Sequence, residues 1–408
     1  MMSVQEASPA EDDPPFDRAV VAYRRLSGLL LGEDFTGWDP YDGLRSPWLR
    51  ATTPTTFLRR AAIQGVKRAP IGARRLLGVK PCRHTKGLAL CVMAYARTAA
   101  AGVDPMAKSL ALSLAHDLIE LSVQDEAGIG WGYDFDVQTR WGYYRCGTPN
   151  AVVTAFAGHA LLDAAALHDD KSLVDAARLA ASYASKRLAV EEGNEGYFAY
   201  YAGSQVPIHN ASLLVASMIA RCVDPGSEAS DRAEAAVKYS LNRQQQDGSW
   251  RYGEAPGLEW VDGFHTAYLL LDLDRWNRYV GTLNVDDALG RGLDLYMWRL
   301  IDADGVPRAS LTARYPVDIH ACATAISVLS TLTPRDSRAS ATASRVLEWT
   351  LAHMSRADGG FAFQRHRLWR DSRPFFRWSD AHMLLALADI VSSSHGRGSP
   401  RQPPRRQT

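Results

Sequence analysis

The sequence predicts an all-α protein, an (α/α)6 toroid built from six helical hairpins. Three observations carry that prediction. Ala- and Leu-rich stretches with a helical period alternate with loops rich in Gly, Asp and aromatics from about residue 15 to residue 393. One segment, a polar turn bearing His or Asn followed by an apolar helix, recurs six times at steps of 55 to 65 residues. Such a step holds two helices of roughly 15 residues and their loops. A Gly-aromatic turn precedes most of the recurring helices, and no series of alternating strand-like segments competes with this pattern.

Residues 1–14 are polar and acidic (Glu11-Asp12-Asp13-Pro14 at their end) and read as a disordered tail. Residues 16–31 form an apolar helix outside the repeats. The recurring starts follow: His84-Thr85-Lys86-Gly87, Pro149-Asn150-Ala151, His209-Asn210-Ala211, His265-Thr266-Ala267, His320-Ala321-Cys322 and His382-Met383-Leu384. The sixth of these helices has no downstream partner, so the 16–31 helix is placed to complete its hairpin and close the ring. One toroid domain over 15–393 results, followed by a basic, Pro-rich tail at 394–408.

The turns read Gly128-Ile129-Gly130-Trp131, Gly193-Asn194-Glu195-Gly196-Tyr197, Asp247-Gly248-Ser249-Trp250 and Asp358-Gly359-Gly360-Phe361, with Asp304-Gly305-Val306-Pro307 lacking the aromatic. Gly permits the tight turn. The aromatic is expected to fold back as a staple between hairpins.

Lys and Arg (46) nearly balance Asp and Glu (45), which excludes a general nucleic-acid binder. Apolar runs stop at about a dozen residues, short of the ~20 that a membrane span needs. The five cysteines are odd in number and form no CxxC, as in a reduced, cytoplasmic protein. With no signal-peptide pattern at the N-terminus, a soluble cytoplasmic location is expected.

In a toroid the recurring helices form the inner ring and their N-termini meet at one opening, where free N–H groups favour anions. His84, His209, His265, His320 and His382 then share that end, with Pro149-Asn150 of the second repeat as the exception. Imidazoles can donate, accept or shuttle protons near neutrality. Asp262, Asp318 and Asp380 lie two or three residues before a His, placed either to cap the helix or to orient the ring. His265, His320 and His382 are therefore the acid/base candidates and the three aspartates their orienters.

Aromatic and polar side chains suited to a sugar gather in 130–145, namely Tyr133, Asp134, Asp136, Trp141 and Arg145, and recur as Trp260 and Trp378. The loop 37–44 has the same character and is expected near the mouth. Arg365, Arg367, Arg370, Arg373 and Arg377, with Arg83 and Lys86, offer cations for a carboxylate or phosphate. The substrate-binding set is His84, Lys86, Tyr133, Asp134, Asp136, Trp141, Arg145, Asn150, His209, Trp260, Arg377 and Trp378. No cofactor is expected. Zinc is the alternative, on Asp318-x-His320-x-Cys322 with His265 and His382, although Cys322 is expected to face elsewhere. G-x-S-x-G, Walker A, Rossmann, HExxH and DxDD motifs are all missing.

Gln244-Gln245-Gln246-Asp247-Gly248-Ser249-Trp250 matches Q-x3-G-x-W and resembles the QW repeat of terpenoid cyclases and of the prenyltransferase β-subunit group, a likeness of architecture. Gly37-Trp38-Asp39-Pro40-Tyr41-Asp42-Gly43-Leu44, Lys86-Gly87-Leu88-Ala89-Leu90, Gly130-Trp131-Gly132-Tyr133-Asp134-Phe135 and Asp262-Gly263-Phe264-His265-Thr266 look like a poorly characterised bacterial family of α/α-toroid proteins. That family is found with capsule and exopolysaccharide biosynthesis genes. The resemblance spans about residues 30–390, implies a surface-glycan role and supplies no catalytic residues.

The leading expectation is an enzyme acting on an acidic or phosphorylated sugar, as epimerase, lyase or glycosidase. An isoprenoid-handling enzyme and a non-catalytic glycan-binding subunit are the alternatives. Expected partners are a sugar or glycan, with no nucleic acid, no membrane span and no protein partner named by the sequence. Polar groups at the inner helix starts would favour sugars, and an apolar wall throughout would favour isoprenoids.

Overall fold

A computed structural model describes residues 15–193 and 195–394. The expected tail 1–14 lies outside the described residues, as does 394–408 apart from Ser394, which ends the last helix. The chain begins with α1 (Pro15–Gly32) and an arm of three short helices, α2 (Pro47–Thr52), α3 (Thr56–Arg68) and α4 (Ile71–Leu76). Five hairpins follow: α5 (Thr85–Ala101) with α6 (Ala107–Glu120), α7 (Ala151–Ala165) with α8 (Lys171–Tyr183), and α9 (His209–Cys222) with α10 (Glu228–Leu241). The last two are α11 (Gly263–Tyr279) with α12 (Asp286–Arg299), and α13 (Ile319–Leu332) with α14 (Arg338–Met354), before α15 (Ala381–Ser394).

The inner helices α5, α7, α9, α11, α13 and α15 pack in sequence order, and α15 returns against α5. Each inner helix carries its own outer helix, and α1 packs on α15. The sixth hairpin thus pairs the first helix with the last, as expected, and the toroid closes. Burial separates the two rings. In α7, 13 of 15 residues are buried, so the helix is apolar on every side. In α8 the buried Leu173, Ala176, Ala177, Ala180 and Ala181 form a single stripe.

The turns join neighbouring hairpins. Trp131 Nε1 donates to the Leu118 carbonyl (2.7 Å) and Trp250 Nε1 to that of Ser240 (2.8 Å), each folding back on the preceding outer helix. These are the predicted staples. Gly248 has φ of 88°, and a Cβ there would lie 2.5 Å from the Arg291 carbonyl oxygen on α12. Only glycine allows both the left-handed backbone and that approach. Gln244 Nε2 donates to the carbonyls of Gly248 (3.0 Å) and Ala288 (2.8 Å), so the QW-like glutamine ties the end of α10 to α12. In the fifth turn the fully buried Val306 takes the staple's place.

Strands among the described residues are short antiparallel pairings in the loops before inner helices, such as Val317–Asp318 with Gln364–Arg365. The loop 37–44 is pinned at the mouth. Gly37 bridges Cys82, and the fully buried Asp42 pairs with the equally buried Arg74 of α4. No described helix is long and apolar enough to cross a membrane. All five cysteines are unpaired.

Candidate active site

The inner helix starts are held at one end by carboxylate and amide caps. Asn150 Oδ1 accepts from Val153 N (3.0 Å), Asp262 Oδ1 from His265 N (2.9 Å) and Asp318 Oδ1 from His320 N (2.9 Å). Asp134 reaches across from the next loop to accept from Thr85 N (2.9 Å). Above these starts opens a chamber of about 840 Å³.

Its mouth is framed by Phe57, Arg60 and Gln64 of α3 and by Trp141, and the 37–44 loop, expected near the mouth, adds Tyr41. Tyr133, Tyr200, Tyr252, Trp260 and Trp378 build the walls. Trp260 stacks on Tyr252 (centroids 4.5 Å apart), and the hydroxyls of Tyr133 and Tyr200 are 2.7 Å apart. Lys86, Phe156, Tyr268 and His320 form the floor. Phe156 and Tyr268 also line a second cavity of about 440 Å³ among the C-terminal ends of the inner helices, with Arg97, Arg221, Arg275 and Asp389.

Two of the five histidines line the chamber, and a third stacks on one of them from below. His265 lines the chamber, and its Nδ1 donates to Asp262 Oδ2 (2.7 Å), which also accepts from Trp260 Nε1 (3.0 Å). Burial works against the Asp262 carboxylate, but the charge and hydrogen bonds of His265 hold its pKa below the ordinary value. His320 Nε2 is hydrogen-bonded to Tyr268 OH (2.8 Å), and His382 stacks on His320 with ring centres 3.8 Å apart. Burial pushes both pKa values far down, helped by the charge of Arg377, so these rings are neutral near pH 7. His382 faces the second cavity.

The other two histidines are turned away. His84, fully buried, contacts Cys82 (3.6 Å) and Asp134 (3.6 Å). Burial opposes its charge, yet Asp134, Cys82 and Asp39 raise its pKa to about 10, which makes it an internal cation. His209 is held by Ser240 Oγ (3.1 Å) and Glu254 Oε1 (2.9 Å) and does not line the chamber, while the next residue, Asn210, does.

Of the aspartates taken as orienters, only Asp262 reaches an imidazole. Asp318 binds the backbone of His320 and positions Trp378, whose Nε1 donates to Oδ1 (2.8 Å). Asp380 instead accepts from Phe361 N (2.8 Å), anchoring the sixth turn. Burial, countered by Arg356, raises its pKa to about 7. The folded carboxyl therefore keeps its proton to about pH 7, whereas the unfolded one loses it near pH 4, so stability falls as pH rises between them. Asp380→Asn is expected to stabilise the fold by ~1–3 kcal/mol at about pH 8 and by almost nothing at about pH 4. Denaturant melts at both pH values check this, and an equal effect at both would contradict it.

Arg377 is the late arginine that enters the chamber. Its Nε donates to the fully buried Asp39 (2.6 Å), and its guanidinium lies 5.1 Å from the Tyr133 ring and 5.4 Å from that of Trp378. Arg373 is paired with Asp371 and also donates to the Ala69 carbonyl, and Arg370 donates to the carbonyls of His353 and Ser355 at the end of α14. Asp136 lines the chamber, but its carboxylate accepts from Tyr143 OH and Cys146 N. Arg145 is exposed outside it, and Asn150 is buried as a cap. Among the described residues no three His, Cys, Asp or Glu side chains gather as a metal cradle. Cys322 is buried, pointing away from the ring of histidines toward Thr350 and Tyr296. Asp39, Asn210 and Tyr268 escaped the sequence reading. Tyr268 carried a usable signal, since three residues after His265 is the same helix face.

No protein-family model and no curated protein matches the chain. Solved structures do. A heparin-specific unsaturated glucuronyl hydrolase has a TM-score of 0.59 at 12% identity, over 92% of this chain and 97% of its own. A polysaccharide lyase reaches 0.60 at 9% identity, over 93% and 98%. A sugar epimerase from a ruminal bacterium reaches 0.57 at 12% identity, over 77% and 90%. The chain shares their fold.

Proposed function

We propose that this chain is a carbohydrate-active enzyme that moves a proton at a carbon of an acidic or phosphorylated sugar, as an epimerase or a lyase does. One observation carries the reading: two imidazoles in different states, His265 paired with Asp262 and the neutral His320, line one aromatic chamber that also holds Arg377. Asp262 accepts the hydrogen bond of His265 Nδ1–H and leaves Nε2 as the base. The hydroxyl of Tyr268, hydrogen-bonded to the neutral His320, is the partner that returns a proton. Ring faces stack on Trp260 and Trp378, and the guanidinium of Arg377 takes the acidic group.

The names of the structural neighbours, an epimerase, a lyase and a hydrolase of sugars, support this reading. Polar groups at the inner helix starts, Lys86, Asn210, His265 and His320, favour sugars over isoprenoids. Glycoside cleavage ordinarily uses two carboxylates. Among the described lining residues only Asp136 carries one, and it is already hydrogen-bonded. Work on surface polysaccharides in the cytoplasm is the finer part of the proposal and rests on the sequence resemblance.

The test is a panel of nucleotide sugars and uronic oligosaccharides in heavy water, followed by proton NMR. Deuterium entering one sugar carbon, or a new unsaturated product, is the expected result. Binding without exchange or cleavage would make the protein a glycan-binding subunit, and cleavage without exchange a glycosidase. Binding of no member would overturn the sugar reading.

A further inference from the structure

Lys86 stands in the first turn of α5 with only 4% of its surface exposed. Its Nζ lies 4.3 Å from the centre of the Phe156 ring and 5.7 Å from that of Tyr268, on the chamber floor. It makes no hydrogen bond or ion pair with any described residue. An ammonium group in that position has no counter-ion and touches water only through the chamber, which is costly unless the proton is given up. Burial, and then the positive charge of Arg377, hold its pKa well below the usual lysine range. The charge of the buried Asp39 acts the other way, but Asp39 is already engaged by Arg377.

An amine kept free of its proton by an apolar pocket and a neighbouring cation is a nucleophile toward carbonyl carbon. We propose that Lys86 captures the open-chain carbonyl of a bound sugar as a Schiff base. The nitrogen lone pair forms the C–N bond, and one amine proton passes to the carbonyl oxygen. That hydroxyl then leaves as water with a second proton, supplied by the Tyr268–His320 pair, as the C=N⁺ bond forms. The resulting iminium draws electrons from the adjacent carbon, whose proton His265 is placed to remove. This step rests on the reading of the chamber as a sugar site and extends it, because it restricts the substrate to sugars that can expose an aldehyde or ketone.

The full chain is treated with glycolaldehyde and sodium cyanoborohydride slightly below neutral pH, digested, and mapped by mass spectrometry. Lys86 is expected to carry the reduced adduct at a rate at least ~10-fold above the exposed Lys80 and Lys171. An unmodified Lys86, or one no faster than those two, would overturn the proposal and leave it as a charge for a ligand anion. Lys86→Arg, which keeps a cation, is expected to abolish any sugar turnover found in the panel. Turnover that persists in this variant overturns the proposal as well. Fast trapping with no sugar turned over would sink the sugar reading and leave the reactive amine standing.

Discussion

His265→Gln is expected to slow deuterium exchange into the accepted sugar by ~10²–10⁴-fold, the range of a lost general acid or base. Glutamine occupies a similar volume and leaves the capping bond from Asp262 Oδ1 to the backbone of residue 265 in place. What disappears is a ring whose Nδ1 proton is fixed by a carboxylate 2.7 Å away. Asp262→Asn is the sharper companion. Asn remains a good helix cap, so the start of α11 is retained. The amide no longer supports the imidazolium and permits the wrong tautomer, so exchange should fall by at least ~10²-fold with affinity nearly unchanged. Calorimetry for binding and NMR for exchange separate the two quantities. Exchange within threefold of the parent in both variants would remove His265 from the mechanism.

Asp39→Ala is expected to cost ~3–5 kcal/mol of folding stability, because it strands the guanidinium of Arg377 in a buried site. Asp39 is fully buried and Arg377 only 3% exposed, so water from the chamber replaces the lost partner poorly. Burial weighs against both charges, yet each shifts the other strongly toward its ionised form. The double variant Asp39→Leu/Arg377→Met should recover most of the loss, since removing both charges leaves nothing unpaired. It should not recover affinity for an acidic sugar, because the anion contact is gone. Thermal melts of the three proteins, with titration of the accepted ligand, test both statements. A single variant as stable as the parent would mean that the pair contributes nothing to the fold.

The ring of histidines shows how far the alignment of repeats could be followed. Matching His84, His209, His265, His320 and His382 placed all five at the same height, at the starts of the inner helices, and that holds. Height does not set direction. A helix advances by 100° per residue, so a small difference in how each loop enters its helix decides which of two neighbours meets the lumen. In α9 it is Asn210 and not His209, and in α5 it is Lys86 and not His84. The partners of the displaced rings, Glu254 and Asp134, come from loops whose course has no periodicity to read. For the same reason Asp380 was misread as an orienter, since its π-helical turn (Phe376–Asp380) sends the carboxylate to Phe361.

The linear chain determined the architecture of this protein. Six apolar helices that cannot expose any side, paired with six that can expose one, and glycine-aromatic turns between them leave a closed ring as the arrangement that buries them all. It also determined that imidazoles, carboxylates and aromatic rings would collect at one end. Tertiary packing alone decided which of them share a space, because the Asp39–Arg377 pair joins residues 338 positions apart and the Lys86 amine is packed against aromatic side chains from α7 and α11. Proton affinity and reactivity depend on what surrounds a group within a few ångströms, and those surroundings exist only after the ring has closed.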